Sequence, residues 1–137
     1  MGAILAAEHE ITVRVRYADT DTMRVVYYAN YFQWFESGRI ELLRSRGVVY
    51  KDIEEMGIFM PVVEAKANYK SPARFDDQLL VRTRIKEMGN SSMIFENEVY
   101  RLPDKELLCT GHTVHVAVGR DGNPMPIPEA LRTRLSA

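Results

Sequence analysis

The chain has 137 residues, of which 46% are hydrophobic and 27% are charged, and this composition is typical of a soluble globular protein. Its formal net charge of −1 excludes bulk electrostatic attraction to nucleic acid or to an anionic membrane. A single cysteine, Cys109, excludes an internal disulfide framework and suits a reducing compartment, so we expect a cytoplasmic protein.

The length predicts one domain over residues 1–137. The opening stretch "MGAILAAEHE" has no lysine or arginine and only a short apolar run, which fits neither a signal peptide nor a membrane span. We therefore expect residues 1–9 to form a loose tail and the protein not to insert into a membrane.

The segment "ITVRVRY" has the alternation of a half-buried strand, with one apolar face formed by Ile11, Val13, Val15 and Tyr17. A helical pattern follows from about Tyr28 to Arg46. Its apolar arc on a helical wheel contains Tyr31, Phe32, Phe35, Leu42 and Leu43. Gly38 lies on the flank of this arc at a cost of ~1 kcal/mol relative to alanine. We expect another backbone to approach the helix closely there.

Strands dominate the rest of the chain. Apolar and polar residues alternate in "PVVEAKANYK", "DQLLVRTRIKEM", "MIFENEVYRL" and "LLCTGHTVHVAV", and the turn "GNSS" separates the second from the third. Short helices are expected in "YKDIEEMG" and in the C-terminal tail, residues 124–137. One long apolar helix and about five antiparallel strands predict an α+β fold, in which the sheet wraps around the helix.

Two aspartates, Asp19 and Asp21, stand directly before the long helix. An aspartate there can simply cap the helix and satisfy its first amide donors. It can also act as a nucleophile or base, because the free amides of a helix N-terminus stabilise an oxyanion. A calcium loop is excluded, since Met23 and Arg24 occupy positions that require an oxygen ligand and a glycine.

The other chemically active residue types are poorly placed for catalysis. His112 and His115 are three apart on a predicted strand and therefore point to opposite faces, so they cannot bind a metal together. Cys109 has no basic neighbour in its strand, and we expect a buried, inert thiol. The sequence contains no phosphate-binding glycine loop and no zinc-ligand spacing, so we predict no metal site.

The segment "VRYADTD" and the following "VVYYANYFQWFESGRIELLRSRG" resemble the opening motif of the hotdog-fold acyl-CoA thioesterases. The subgroup is that of 4-hydroxybenzoyl-CoA thioesterase and the Tol-Pal-associated acyl-CoA thioesterase. The resemblance continues through "ANYKSPARFDDQLLVRTRI" and covers about residues 11–118. It implies an antiparallel sheet of five or six strands around one long central helix. It also implies a homodimer with sheets joined edge to edge, often paired into a tetramer, with active sites between subunits.

The resemblance also implies site residues. Asp21 matches the catalytic carboxylate of the family, and the backbone amide of Tyr28 matches its oxyanion donor. Asn30 stands where it can shape the helix start or face the substrate, and Asn90 and Ser91 lie in the hairpin that approaches the thioester in relatives. Arg24 replaces the usual glycine. It can restrict the backbone, lower the pKa of Asp21, or point outward to a CoA phosphate.

The helix signature of the family is matched by Arg39 and Glu41, for which we expect a buried ion pair or a bond from the arginine to backbone.

The implied function is hydrolysis of an acyl-CoA thioester to free CoA and a carboxylic acid. Asp21 would act as nucleophile or general base, and no cofactor would be needed because CoA is part of the substrate. An acyl carrier protein could replace CoA as the carrier. Two alternatives remain: a hotdog hydratase or dehydratase, and a non-catalytic module that binds acyl thioesters or acyl carrier protein. No histidine follows Asp21, which disfavours the hydratase.

Overall fold

The structure is a computed structural model that describes residues 7–136. Within this range the chain forms five strands and three α-helices in the predicted order. They are β1 (Glu8–Arg14), α1 (Tyr31–Ser45), α2 (Tyr50–Glu55), β2 (Val62–Tyr69), β3 (Gln78–Met88), β4 (Ser92–Arg101), β5 (Glu106–Val116) and α3 (Glu129–Leu135). Single 3₁₀ turns at Tyr17–Asp19 and Tyr28–Asn30 lie on either side of the loop that connects β1 to α1. No helix of residues 7–136 is both long and apolar enough to cross a membrane.

The five strands form one antiparallel sheet with the spatial order β1–β3–β4–β5–β2. Strand alternation gives this sheet one apolar face, and α1 packs against it. The buried side of α1 contains Tyr31, Phe35, Leu42 and Leu43 of the predicted arc and the flanking Trp34 and Gly38, whereas Phe32 is only partly buried. The α+β prediction, with a sheet around one long helix, is confirmed.

Gly38 lets α1 lie close to the middle of the sheet. A Cβ atom at this position would collide with the Thr83 hydroxyl of β3. That hydroxyl is held in place because it accepts a hydrogen bond of 2.8 Å from the Asn97 side chain on β4. The close approach was predicted correctly, but the neighbour is a side chain rather than a backbone.

Two boundaries differ from the sequence-based expectation. We expected a loose tail over residues 1–9, of which residues 1–6 lie outside the described residues. The last three residues of this range are ordered instead: Ala7 is buried, and Glu8 and His9 belong to β1 and pair with β3. Tyr17 was expected on the apolar face of the first strand. It lies beyond the strand in a 3₁₀ turn and is 78% exposed.

The two β5 histidines point to opposite faces, as predicted. His112 contacts Glu64 at 2.6 Å on the outer face of the sheet. His115 is buried; its Nδ1 donates to the Met60 carbonyl at 3.0 Å, and its Nε2 lies 2.9 Å from the Thr113 hydroxyl. Burial, together with the charge of Arg39, lowers the pKa of His115 to about 4. The inert-thiol prediction is confirmed too, because Cys109 is buried and burial raises its pKa to about 12.

We expect Gly38→Ala to destabilise the protein by about 1–2 kcal/mol, because the overpacking cost exceeds the gain in helix propensity. Chemical denaturation measures this difference in the free energy of unfolding. Ser37→Ala on the exposed side of α1 is the matched control and should leave stability nearly unchanged. Equal stability of both variants would show that α1 does not rest on Thr83.

The free energy of unfolding should decrease as the pH is lowered from 6.5 to about 4, because the folded protein keeps His115 neutral. The unfolded chain binds a proton at this histidine below its ordinary pKa of 6.5, whereas the folded chain excludes it until about pH 4. Stability is therefore fully present above pH 6.5 and decreases by up to about 3 kcal/mol at the acidic end. Unfolding at several pH values should show a shallower acid loss in His115→Gln. An identical pH slope in both proteins would contradict this role.

Candidate active site

The loop between β1 and α1 folds back on itself as a short hairpin. Thr20 and Val26 form a bridge, and the Asp21 N–H donates to the Val25 carbonyl at 2.9 Å. The Tyr27 N–H donates to the Asp19 carbonyl at 3.0 Å. This pairing holds Asp21 at the tip of the hairpin and brings the end of the loop to the start of the helix.

Asp19 and Asp21 have different environments. Asp19 is 4% exposed, and its carboxylate accepts hydrogen bonds from the Arg16 N–H at 2.8 Å and from the Arg16 guanidinium at 3.0 Å. This carboxylate is committed to the local turn. The structure therefore assigns Asp19 to shaping the loop.

Asp21 is only half-buried. Its Oδ1 accepts the Met23 N–H at 2.8 Å, which fixes the orientation of the carboxylate. Its Oδ2 has no hydrogen-bond donor among residues 7–136. Asp21 therefore presents one oriented but unoccupied oxygen. It opens onto a cleft of about 660 Å³ that is also lined by Tyr17, Thr20, Thr22, Arg24 and Phe75.

Arg24 adopts the left-handed backbone conformation, with a φ of 65°. This conformation is unfavourable for arginine and natural for glycine. Within the described range, Arg24 forms no ion pair with Asp21 or with any other carboxylate. Of the three effects predicted for Arg24, the positive φ directly supports the restricted backbone.

The helix start offers free amide donors. The Tyr27 carbonyl accepts the Asn30 N–H at 2.9 Å, which fixes the peptide that also carries the Tyr28 N–H. No backbone carbonyl of residues 7–136 accepts a hydrogen bond from the N–H of Tyr28 or Ala29. The Tyr28 carbonyl, in turn, accepts the Tyr69 hydroxyl at 2.8 Å. The Tyr28 and Ala29 N–H groups thus belong to peptides whose carbonyls, those of Tyr27 and Tyr28, are held by hydrogen bonds.

Asn30 connects the loop to the helix. Its side-chain amide donates to the Asp19 carbonyl at 2.8 Å, and its Oδ1 accepts from Gln33 at 3.2 Å. These contacts correspond to the helix-shaping role among the two expected for Asn30. A role in binding substrate stays a prediction.

The negative charge of Asp21 acts on Tyr27, the residue that precedes the helix start. The pKa of the Tyr27 phenol is raised, mainly by its hydrogen bond and charge interaction with Tyr28 and also by the negative charge of Asp21. The rings of Tyr27 and Tyr28 lie 4.7 Å apart. The charge of Asp21 therefore reaches the residue that precedes the helix start.

The aromatic residues around the helix start serve two purposes. Tyr31, Trp34 and Phe35 are buried in the core, whereas Tyr28 and Tyr69 are exposed. Beside them is a second pocket of about 260 Å³, lined by Val26, Tyr28, Tyr31, Tyr69, Lys70, Ser71 and Pro72. The aromatic residues at the helix start thus contribute both to the core and to the wall of a pocket.

Comparison with known proteins identifies the family. The family model described as "Thioesterase-like superfamily" matches residues 15–135. This chain belongs to the thioesterase-like superfamily.

Individual relatives agree with this assignment. Acyl-CoA thioesterase YbgC of Haemophilus influenzae is 34% identical over 116 residues, which are 84% of this chain and 83% of the relative. The acyl-acyl carrier protein thioesterase ATL3 of Arabidopsis thaliana is 26% identical over 126 residues, 92% of this chain and 66% of the relative. The crystal structure of DHNA-CoA thioesterase from Staphylococcus aureus superimposes with a TM-score of 0.84 at 29% identity, covering 87% of this chain and 80% of that one. The protein is a thioesterase with the hotdog fold.

The hairpin residues lie far from Asp21 in this thioesterase. Asn90 and Ser91 connect β3 to β4, whereas the Asp21 loop is anchored near the beginning of β3, where the Val15 N–H donates to the Asp77 carbonyl at 2.9 Å. The length of β3 separates the two by about 30 Å. The Asn90 carbonyl accepts the Ile127 N–H at 2.8 Å, so the hairpin packs on the C-terminal segment. One subunit does not bring these residues together.

The helix signature of the thioesterase is arranged differently from the expected ion pair. Arg39 is partly buried, and burial lowers its pKa. Among the described residues no carboxylate pairs with it, and Glu41 pairs instead with Arg44 at 3.4 Å. Neither the ion pair nor the hydrogen bond to backbone expected for Arg39 forms among residues 7–136, so this expectation is wrong within one subunit.

Sequence reasoning missed one contributor to the site, Tyr69. Its hydroxyl reaches the Tyr28 carbonyl from the end of β2. In the sequence, Tyr69 stands out only as the last residue of an alternating strand. That position does not reveal a contact with Tyr28, which is 41 residues away.

Proposed function

We propose that this thioesterase hydrolyses acyl-CoA thioesters to free CoA and a carboxylic acid, with Asp21 as the catalytic carboxylate. The observation that carries this proposal is the Oδ2 of Asp21, which has no donor among residues 7–136 and lies in the loop that leads directly to the helix start. The Tyr28 and Ala29 amides at that start have no backbone acceptor in the same range. Similarity to YbgC of Haemophilus influenzae, which is named an acyl-CoA thioesterase, supports the substrate class.

The reaction can follow either of two balanced courses. As a nucleophile, Asp21 attacks the thioester carbon, the CoA thiolate leaves, and water hydrolyses the resulting anhydride. As a general base, Asp21 takes a proton from water while the hydroxide attacks, and the departing thiolate receives that proton. In both courses the Tyr28 N–H stabilises the negative carbonyl oxygen. A thiolate leaves readily, so the reaction needs no strong general acid, metal or cofactor.

The carrier of the acyl group is either CoA or an acyl carrier protein. The Arabidopsis relative is named an acyl-acyl carrier protein thioesterase, which keeps the second carrier as a candidate. Both carriers present the same pantetheine thioester to Asp21. The rates of hydrolysis of acyl-CoA and of acyl-acyl carrier protein, measured with the same acyl group, decide which carrier the enzyme prefers.

We further propose a homodimer joined along β2, which could pair again into a tetramer. In the described chain β2 is an edge strand, and seven of its eight residues are exposed. The exposed residues include Val62 at 47% and Val63 at 59%. A long, exposed, partly apolar edge strand is a template for pairing with another strand. An antiparallel β2–β2 pair would continue the sheet into a second copy.

This dimer would complete the active site. Antiparallel pairing reverses one subunit relative to the other, so the Asn90–Ser91 end of one copy comes towards the Asp21 end of its partner. The proposal thereby gives Asn90 and Ser91 a route to the substrate that one subunit does not provide.

Replacing Asp21 with asparagine should lower kcat for release of CoA from acyl-CoA by at least about 100-fold. The asparagine Oδ1 can still accept the Met23 N–H, so the loop should keep its shape. Asp52→Asn, an exposed carboxylate on α2, is the control and should keep full activity. Release of CoA is followed with a thiol reagent over a panel of acyl groups. Full activity of Asp21→Asn in a folded protein would refute its catalytic role.

Val63→Lys should separate the dimer, because a lysine on an edge strand opposes strand pairing. Sedimentation equilibrium should give twice the chain mass for the wild type and a lower mass for Val63→Lys, with a parallel loss of activity. Val63→Thr keeps the β-branched shape and should remain dimeric. A monomeric and active wild type would contradict the proposed interface.

A further inference from the structure

The peptide group that joins Tyr28 to Ala29 receives a hydrogen bond from a distant strand. Its carbonyl oxygen accepts the Tyr69 hydroxyl at 2.8 Å. Its N–H belongs to Ala29 and donates to no backbone carbonyl of residues 7–136, and no side chain caps this turn. One peptide group at the helix start therefore carries a donor from β2 on its oxygen and an N–H that is available to a ligand.

The side chain of Tyr69 is held in place independently of this hydrogen bond. Its backbone pairs with Cys109 of β5, and the N–H of the following residue, Lys70, donates to the Leu108 carbonyl at 2.8 Å. Its ring packs against the buried Tyr31 ring, with centroids 5.3 Å apart at an interplanar angle of 67°. The direction of the hydroxyl is thus set by strand pairing and ring packing.

The Tyr69 hydroxyl also keeps its proton at neutral pH. Burial raises the pKa of this phenol from its ordinary value of 10, and interactions with Cys109 and Tyr28 raise it further. A phenol O–H can donate, whereas a backbone carbonyl can only accept, so the direction of the bond is fixed. Tyr69 therefore withdraws electron density from the peptide oxygen of Tyr28.

A hydrogen bond to a carbonyl oxygen makes the N–H of the same peptide a stronger donor, because the two ends of the group polarise one another. The preceding peptide has the same arrangement: the Tyr27 carbonyl accepts the Asn30 N–H at 2.9 Å, and the N–H belongs to Tyr28. The free N–H groups of the first helical turn point along the axis, away from the helix. An anionic oxygen in front of this turn can therefore accept from both.

The surroundings of these two peptides leave room for a substrate. Tyr28 is 60% exposed and Tyr69 is 45% exposed, and both line the pocket of about 260 Å³. Among residues 7–136 the wall of this pocket contains Lys70 and no carboxylate. The local charge therefore favours negative charge on a bound oxygen.

We propose that the Ala29 N–H is a second oxyanion donor beside the Tyr28 N–H, and that Tyr69 is the positioning residue that polarises and orients it. The inference rests on the proposed function, because the oxyanion forms only when a thioester carbonyl is attacked. Tyr69 acts through the peptide and not by touching the substrate. Its effect should be largest in the transition state, where the carbonyl oxygen is most negative.

Tyr69→Phe removes the hydroxyl and keeps the ring against Tyr31. It should lower kcat for acyl-CoA hydrolysis about 5-fold and leave KM nearly unchanged, because the strengthened hydrogen bond matters mainly in the transition state. Tyr100→Phe is the control. It removes a tyrosine hydroxyl from β4, where the ring lies 5.7 Å from the Arg82 guanidinium, and should change neither constant. Both variants should keep the sedimentation mass of the wild type.

A double-mutant cycle tests the route through Ala29. Ala29→Pro removes the N–H in the first helical turn, where proline is tolerated, and should lower kcat at least about 10-fold. In this background Tyr69→Phe should have almost no further effect, because the N–H that it polarises is gone. A full second loss in Ala29→Pro/Tyr69→Phe would overturn the proposal, since Tyr69 would then act on another part of the protein.

Infrared spectroscopy measures the polarisation without turnover. The probe is a ketone analogue of acyl-CoA, in which a methylene group replaces the thioester sulfur. Its carbonyl stretch should shift to lower frequency on binding to the wild type and should shift less in Tyr69→Phe. This readout depends neither on the folding of Ala29→Pro nor on the role of Asp21. An equal shift in both proteins would refute the role of Tyr69 alone, whereas an analogue that fails to bind would refute the proposed function as well.

Discussion

The carbonyl oxygen of Asp19 accepts two hydrogen bonds, from the Tyr27 N–H at 3.0 Å and from the Asn30 side chain at 2.8 Å, and the active site depends on this junction. It joins the end of the loop to the beginning of the helix. The buried Asp19 carboxylate stabilises the same turn through Arg16, since a buried charge must be paired. Asp21 can then extend from the turn with its Oδ2 unbonded by any donor of residues 7–136.

The rest of the fold positions this junction against the sheet. Gly38 allows α1 to lie close to Thr83, and the Tyr31 hydroxyl and the Ala73 backbone attach the helix start to the loop before β3. Tyr69 braces the Tyr28 carbonyl from β2. Preorganised donors of this kind stabilise developing charge without rearrangement, and that is the physical basis of the proposed thioester hydrolysis.

Much of this could be predicted because the relevant signals are local. Alternation identified the strands, and the helical arc identified the buried side of α1, including the special position of Gly38. The opposite faces of His112 and His115 followed from strand geometry alone. Tyr17 was misplaced because alternation does not reveal where a strand ends. The Arg39 ion pair was wrong within one subunit because a helical pattern does not reveal whether any carboxylate lies within reach of the arginine.

The sequence by itself determined the fold class and the family motif, since these depend on neighbours along the chain, and the resemblance to the family singled out Asp21 over Asp19 as the chemical candidate. Only the tertiary structure decided that the Asp21 Oδ1 accepts the Met23 N–H, that Arg24 adopts a φ of 65°, and that the Tyr17 and Phe75 ring centroids lie 5.5 Å apart. It also placed Asn90 and Ser91 at the opposite end of β3 from Asp21. These facts depend on contacts between residues distant in sequence, and such contacts form only when the sheet, the helix and the loops pack together.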